Sequence, residues 1–142
     1  MIGGVAAVLR GSAHLTLDLD ICYNRTPDNF QKLIAAIQPI HPRLRNAPPD
    51  LPFVLDQRSL KNGLNFTFDT DLGELDILGE VGGIGLYKSC MAASTEEMVF
   101  GVQCLVLNID GLIRSKKFAG RKKDEPVINE LEAIQELLTK RK

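Results

Sequence analysis

Residues 15–23, LTLDLDICY, alternate apolar and polar side chains until their last few positions. Successive Cβ atoms of a strand point to opposite faces of a sheet, so a period of two identifies a strand. The same period sends Asp18 and Asp20 to one face of it. A chain with this segment must therefore build a sheet, and that sheet must accommodate a pair of neighbouring carboxylates.

The segments around this strand alternate between helical and extended patterns. Residues 3–10, GGVAAVLR, open with two glycines and continue with helix formers, which predicts a tight turn into a short helix ending near Gly11. Thr26 before Pro27 has the form of an N-cap followed by proline at the first helical position, and Phe30, Leu33, Ile34 and Ile37 recur at helical spacing. A helix is expected over 27–38. Five prolines between Pro39 and Pro52 predict an irregular surface connection. Residues 64–69 and 74–81 predict two strands joined by a turn at 71–73, hence a hairpin. Residues 99–109 predict one or two further strands, and 110–120 and 126–138 predict helices. The expected fold class is α+β, a mixed β-sheet with helices packed against it.

Length and composition fit a single domain over residues 1–142: 44% hydrophobic residues suffice for one packed core, and no linker or internal repeat divides the chain. No cationic region precedes the apolar start and no apolar run reaches membrane-spanning length, so the expectation is a cytoplasmic protein with no membrane partner. Cys22, Cys90 and Cys104 are widely spaced and form no Cys-x-x-Cys pair, which argues for buried thiols and against a zinc site. Charge is uneven: residues 1–109 carry 8 Lys/Arg against 12 Asp/Glu, whereas 110–142 carry 9 against 6. The basic end could meet phosphates, although such runs also serve as solvated helix faces.

The segment IGGVAAVLRGSAHLTLDLDI has thirteen residues intervening between the pair Gly3-Gly4 and Asp18-Leu19-Asp20-Ile21. It resembles the signature of the polymerase-beta-like nucleotidyltransferases, in which a glycine pair precedes two carboxylates alternating on a strand. The resemblance implies that Asp18 and Asp20 hold Mg²⁺, two ions being possible, and that Gly3 and Gly4 contact the phosphates of a nucleoside triphosphate. Glycine allows close backbone approach to phosphate, and aspartate oxygens suit a hard cation. A third carboxylate on a later strand completes the set in that superfamily. Asp76, in GELDILGEV, is the match, with Glu74 and Glu80 sharing its strand parity and Asp69 and Asp71 lying across the predicted turn. Converging carboxylates demand a cation or a raised pKa.

The closing segment LIRSKKFAGRKKDEPVINELEAI resembles that of AbiEii-type nucleotidyltransferases, a group that includes toxins of toxin–antitoxin systems. Carried over by position, Lys116 contacts the triphosphate, Arg121 and Lys123 support the phosphate region, and Asp124 is a second catalytic acid or orients the lysine. Lys117 is the rival for Lys116. On one continuous helix Lys116 and Asp124 would be about 80° apart around the axis. Two departures stand out. His14 occupies a position where many relatives have arginine, and only two residues precede Gly3, where relatives have a helix and a strand. The second departure leads to the expectation that either the start is truncated or the sheet lacks an edge strand, which a second copy of the chain could pair.

The resulting expectation is a Mg²⁺-dependent enzyme that moves a nucleoside monophosphate from an NTP to a hydroxyl of RNA, protein or a small molecule, with a cognate antitoxin as a further partner. The alternative is a non-catalytic nucleotide- or protein-binding module of the same fold. Other motifs are read as structural. GEVGGIG is expected to be a flexible turn because no convincing helix follows it at once, and Ser94 and Thr95 are expected to cap or bound an element. His14 and His41 are expected to be structural or solvent-facing.

Overall fold

The computed structural model describes residues 1–142. In chain order the elements are α1 (Gly3–Leu9), β1 (Asp18–Cys22), α2 (Pro27–Ile37), β2 (Arg43–Leu44), α3 (Gln57–Asn62), β3 (Asn65–Thr70), β4 (Gly73–Leu78), β5 (Glu80–Val81), β6 (Gly85–Leu86), α4 (Tyr87–Ala92), β7 (Ser94–Val99), β8 (Val102–Leu107), α5 (Ile109–Ala119) and α6 (Glu125–Lys140). The main sheet has the order β1-β4-β3-β2, with β1 parallel to β4 and the other pairs antiparallel. Hairpins β5–β6 and β7–β8 stand beside it. The fold is thus α+β, with a mixed sheet and helices packed against it.

The period of two divides the sheet by chemistry. Phe68, Leu75 and Ile77 face one side, where they are buried with Phe30 and Ile37 of α2 and Leu60 of α3. Thr67, Asp76 and Asp20 align across β3, β4 and β1 on the other side. A second core joins α1, α5, α6 and β8 through Ala6, Ala7, Leu112, Ile113, Val127, Leu131, Val106 and Leu107. Burying a large aliphatic side chain contributes about 1.5–3 kcal/mol, so each core is sufficient to hold its own helices in place. Met1 and Ile2 link the two cores. The Met1 amino group donates to Leu105 O at 2.6 Å, Leu107 N donates to Met1 O at 3.0 Å, and Ile2 N donates to Asp20 O at 3.0 Å. The residues before α1 therefore lie between β8 and β1.

Local chemistry sets the helix ends. Thr26 Oγ1 accepts from Asn29 N, as its place before Pro27 predicted, and Asn108 Oδ1 accepts from Gly111 N at 2.8 Å. Gly120 ends α5 in the left-handed conformation, φ 62°.

Several expectations require correction. The first strand begins at Asp18, three residues later than the alternation suggested: its pairing with β4 starts opposite Glu74, and Leu15 and Leu17 before it are 90% and 89% exposed. The proline-rich connection contains the short edge strand β2 directly after Pro42, a position that proline tolerates at a sheet edge. Helix α3 was not anticipated; its signal is Asp56 and Ser59, which form a reciprocal cap. The expected 74–81 strand breaks at Gly79, whose N–H turns to Leu64 O and Asn65 Oδ1. GEVGGIG folds into the β5–β6 hairpin and does lead at once into a helix, α4. Ser94 bounds an element as expected, opening β7 with its Oγ donating to Cys90 O, and Thr95 follows it inside the strand. No helix is long and apolar enough to cross a membrane. All three cysteines are free; Cys90 is buried, and Cys22 and Cys104 are half-buried.

Candidate functional site

Parallel pairing of β1 with β4 sets Asp20 beside Asp76 and Asp18 beside Glu74. One carboxylate oxygen from each of Asp18, Asp20 and Asp76 lies within 4.8 Å of the others. Two full charges about 4 Å apart repel by about 4 kcal/mol at an effective dielectric of about 20. Such repulsion favours the protonated form of the more buried members. Burial, followed by the charges of Asp18 and Asp76, pushes the Asp20 carboxyl up to about 6. Burial also raises Asp76, against the pull of the Arg45 guanidinium.

Arg45, which directly follows β2, is the cation that reaches Asp76 on this face of the sheet. Its Nε binds Asp69 Oδ1 at 3.2 Å, its Nη1 lies 3.8 Å from Glu74 and its Nη2 lies 3.1 Å from Asp76 Oδ1. That last contact is close but poorly aligned, so Asp76 Oδ1 is buried with a charge nearby and no hydrogen-bond donor. An orphaned carboxylate oxygen beside two further carboxylates is a donor set suited to a hard divalent cation. Of the alternatives to Asp76, Asp69 and Glu74 turn to Arg45 and Asp71 binds His41 and Arg43, while Glu80 is outside the cluster.

Gly3 and Gly4 line the same cleft, but the reason they are glycines is visible in the protein itself. A Cβ on Gly3 would fall 2.0 Å from Asp20 Oδ2, and one on Gly4 would fall 2.5 Å from Thr16 Oγ1. Gly3 also has φ 67°. The Gly4 backbone N–H lowers the pKa of the Asp20 carboxyl, against the effect of burial, and Thr16 Oγ1 donates to Asp18 Oδ1 at 3.0 Å. The glycines thus let the helix start close over the carboxylates and help fix their orientation.

Opposite the carboxylates, Lys116 from α5 meets Asp124 from the single turn Lys122–Asp124 that precedes α6. Lys116 Nζ is 3.1 Å from Asp124 Oδ1, and Arg121 Nε is 2.7 Å from Asp124 Oδ2. Lys116 and Asp124 are both buried, at 8% and 5% exposure. Burial pushes Asp124 up, but hydrogen bonds from Arg121 and Lys116 outweigh it and hold the carboxyl below its usual range. The two residues do not share a continuous helix, as the 80° estimate assumed; Gly120 reverses the chain and brings them together. Lys117 pairs with Glu132 at 2.6 Å and does not line the cleft, which leaves Lys116 as the inward lysine.

The cleft between these groups has a volume of about 490 Å³ and is lined by Gly3, Gly4, Asp18, Asp20, Asp76, Lys116, Arg121, Lys123 and Asp124. That volume suits a nucleotide-sized ligand. Every residue assigned to the site from sequence therefore reaches one cavity. His14 also lines it as an exposed side chain, whereas His41 lies elsewhere, beside Asp71. Sequence reasoning missed Arg45, Thr16 and Phe118. Thr16 could have been found as the residue two before Asp18 on the same strand parity; nothing local marks Arg45 or Phe118. No protein-family model matches the chain, and no curated protein matches it.

Proposed function

We propose that the chain is a divalent-cation-dependent nucleotidyltransferase of the polymerase-beta-like type, transferring a nucleoside monophosphate from an NTP to a hydroxyl acceptor. The observation that carries this reading is the meeting of Asp18, Asp20 and Asp76, oxygens within 4.8 Å, in the cleft that also receives Lys116. Mg²⁺ held by these three carboxylates would neutralise their repulsion and supply positive charge to the triphosphate oxygens.

The chain's own residues do the rest. The Lys116 ammonium faces the phosphate end of the cleft, and the Asp124 carboxylate, fixed by Arg121, keeps it in place. Arg121 and Lys123 add positive charge at the rim. Thr16 and the Gly4 N–H keep Asp18 and Asp20 oriented, so that orientation and charge, more than any bond made to the protein, account for rate. In the reaction the acceptor oxygen bonds to the α-phosphorus and the bond from that phosphorus to the bridging oxygen breaks. Pyrophosphate leaves, and the hydroxyl proton passes to a site carboxylate or to water.

The likeness of the closing segment to AbiEii-type enzymes extends the proposal to a toxin that a cognate antitoxin restrains. The test of the activity is incubation with each α-labelled NTP, Mg²⁺ and total RNA or protein. Label should move to one fraction, and Asp18→Ala or Asp20→Ala should reduce transfer by about a thousandfold or more. Equal nucleotide binding by the double variant with and without Mg²⁺ would defeat the assignment.

A further inference from the structure

Of the six phenylalanines, Phe30, Phe53, Phe66 and Phe68 pack in aromatic pairs of the apolar core. Phe118 does not: it is 73% exposed and opens onto the cleft that holds the three aspartates. It stands on α5 two residues beyond Lys116, so the side chain at the phosphate end and this ring come from one rigid element. An aromatic ring left in solvent forgoes its burial energy, and here its position is nevertheless built. A Cβ on Gly82 would fall 2.5 Å from the ring carbon Cδ1 of Phe118, and one on Gly83 would fall 3.0 Å from Phe118 Cβ and 2.9 Å from Arg114 O. The paired glycines of the β5–β6 turn are thus the seat on which the ring rests. This gives GEVGGIG a role that does not involve phosphate.

Resting on the nucleotidyltransferase reading above, we infer that Phe118, backed by Gly82 and Gly83, is the stacking platform for the nucleobase of the bound NTP. The charged part of the cleft accounts for the triphosphate; a base offers a flat apolar face, and of the two phenylalanine rings lining the cleft Phe66 is packed against the core whereas Phe118, on its glycine seat, is 73% exposed and free to take a base. Stacking of this kind accepts any base, because each has a π face. Phe118 therefore sets affinity for nucleosides over bare polyphosphate, with little choice among the four bases.

The test compares binding of ATP and of inorganic triphosphate, each with Mg²⁺, to the full chain and to Phe118→Ala. The expected result is a loss of about tenfold or more in ATP affinity with triphosphate binding unchanged. The chain contains no tryptophan, so Phe118→Trp supplies the sole indole, which can be excited selectively over the two tyrosines. Its emission should be quenched by ATP and unaffected by triphosphate, with ATP affinity retained. Equal ATP affinity in Phe118→Ala, or parallel loss of both ligands, overturns the platform while leaving the enzyme reading intact. If the unaltered chain binds neither ligand with Mg²⁺, the nucleotidyltransferase reading falls, and the platform with it.

Discussion

Two charged clusters face each other across the cleft, and they are built on opposite terms. Around Asp124 every charge has a partner: Lys116 and Arg121 occupy both carboxylate oxygens, and the acid is held ionised. Around Asp20 charge is in excess: three carboxylates converge, Arg45 offsets part of their charge from one side, and Asp20 retains its proton up to about pH 6. The first arrangement is complete in the protein alone. The second is more stable when it holds protons or a cation. A compensated pair makes a rigid support, whereas an uncompensated cluster makes a binding site, because a ligand gains what the fold forgoes.

Substitutions should separate the two clusters by sign. Asp124→Ala leaves the Lys116 ammonium buried without a partner and should destabilise the chain by about 3 kcal/mol, read from the urea midpoint. A change below about 1 kcal/mol would mean that the lysine escapes to solvent and the pair is no support. Asp20→Asn should act oppositely, stabilising the metal-free protein at pH 7.5 by about 1–2 kcal/mol while abolishing Mg²⁺ binding. Destabilisation there would show that Asp20 is compensated after all. Arg45→Met should destabilise the metal-free protein by about 1 kcal/mol at pH 7.5, and Mg²⁺ should recover most of that loss.

The same contrast predicts a pH dependence. In the folded chain Asp20 titrates near 6, raised from its usual value near 4, so between these values the native state binds more protons than the unfolded state. Its stabilising contribution is present at low pH and is lost as pH rises through 6. Asp124, held below its usual range, contributes fully above about pH 4 and registers only on further acidification. The metal-free protein should therefore lose about 1 kcal/mol between pH 5 and 7.5, Mg²⁺ should offset the loss, and Asp20→Asn should flatten the profile. Stability that rises over this interval would contradict the account of the acidic cluster.

Local patterns marked much of this architecture and little of its wiring. The alternation in LTLDLDICY put Asp18 and Asp20 on one face, Thr26-Pro27 opened α2, and Asp71–Gly73 placed the β3–β4 turn, because each depends on backbone geometry over a few residues. The start of β1 was misread because strand length depends on a partner 56 residues away. Arg45 was invisible for a similar reason: it sits in a proline-rich stretch, and its three carboxylate partners lie on β3 and β4.

What the residues alone determined is the inventory: a half-polar strand carrying two aspartates, a later acidic strand, and a basic helical end. Strand and helix periods are short-range properties and can be read without a partner. The tertiary structure decided which groups meet. Parallel pairing of β1 with β4 chose Asp76 from five acids, Gly120 turned Asp124 onto Lys116 in place of Lys117, and the Gly82–Gly83 turn seated Phe118 at the cleft. Those choices rest on register and packing between distant segments, which no local pattern encodes.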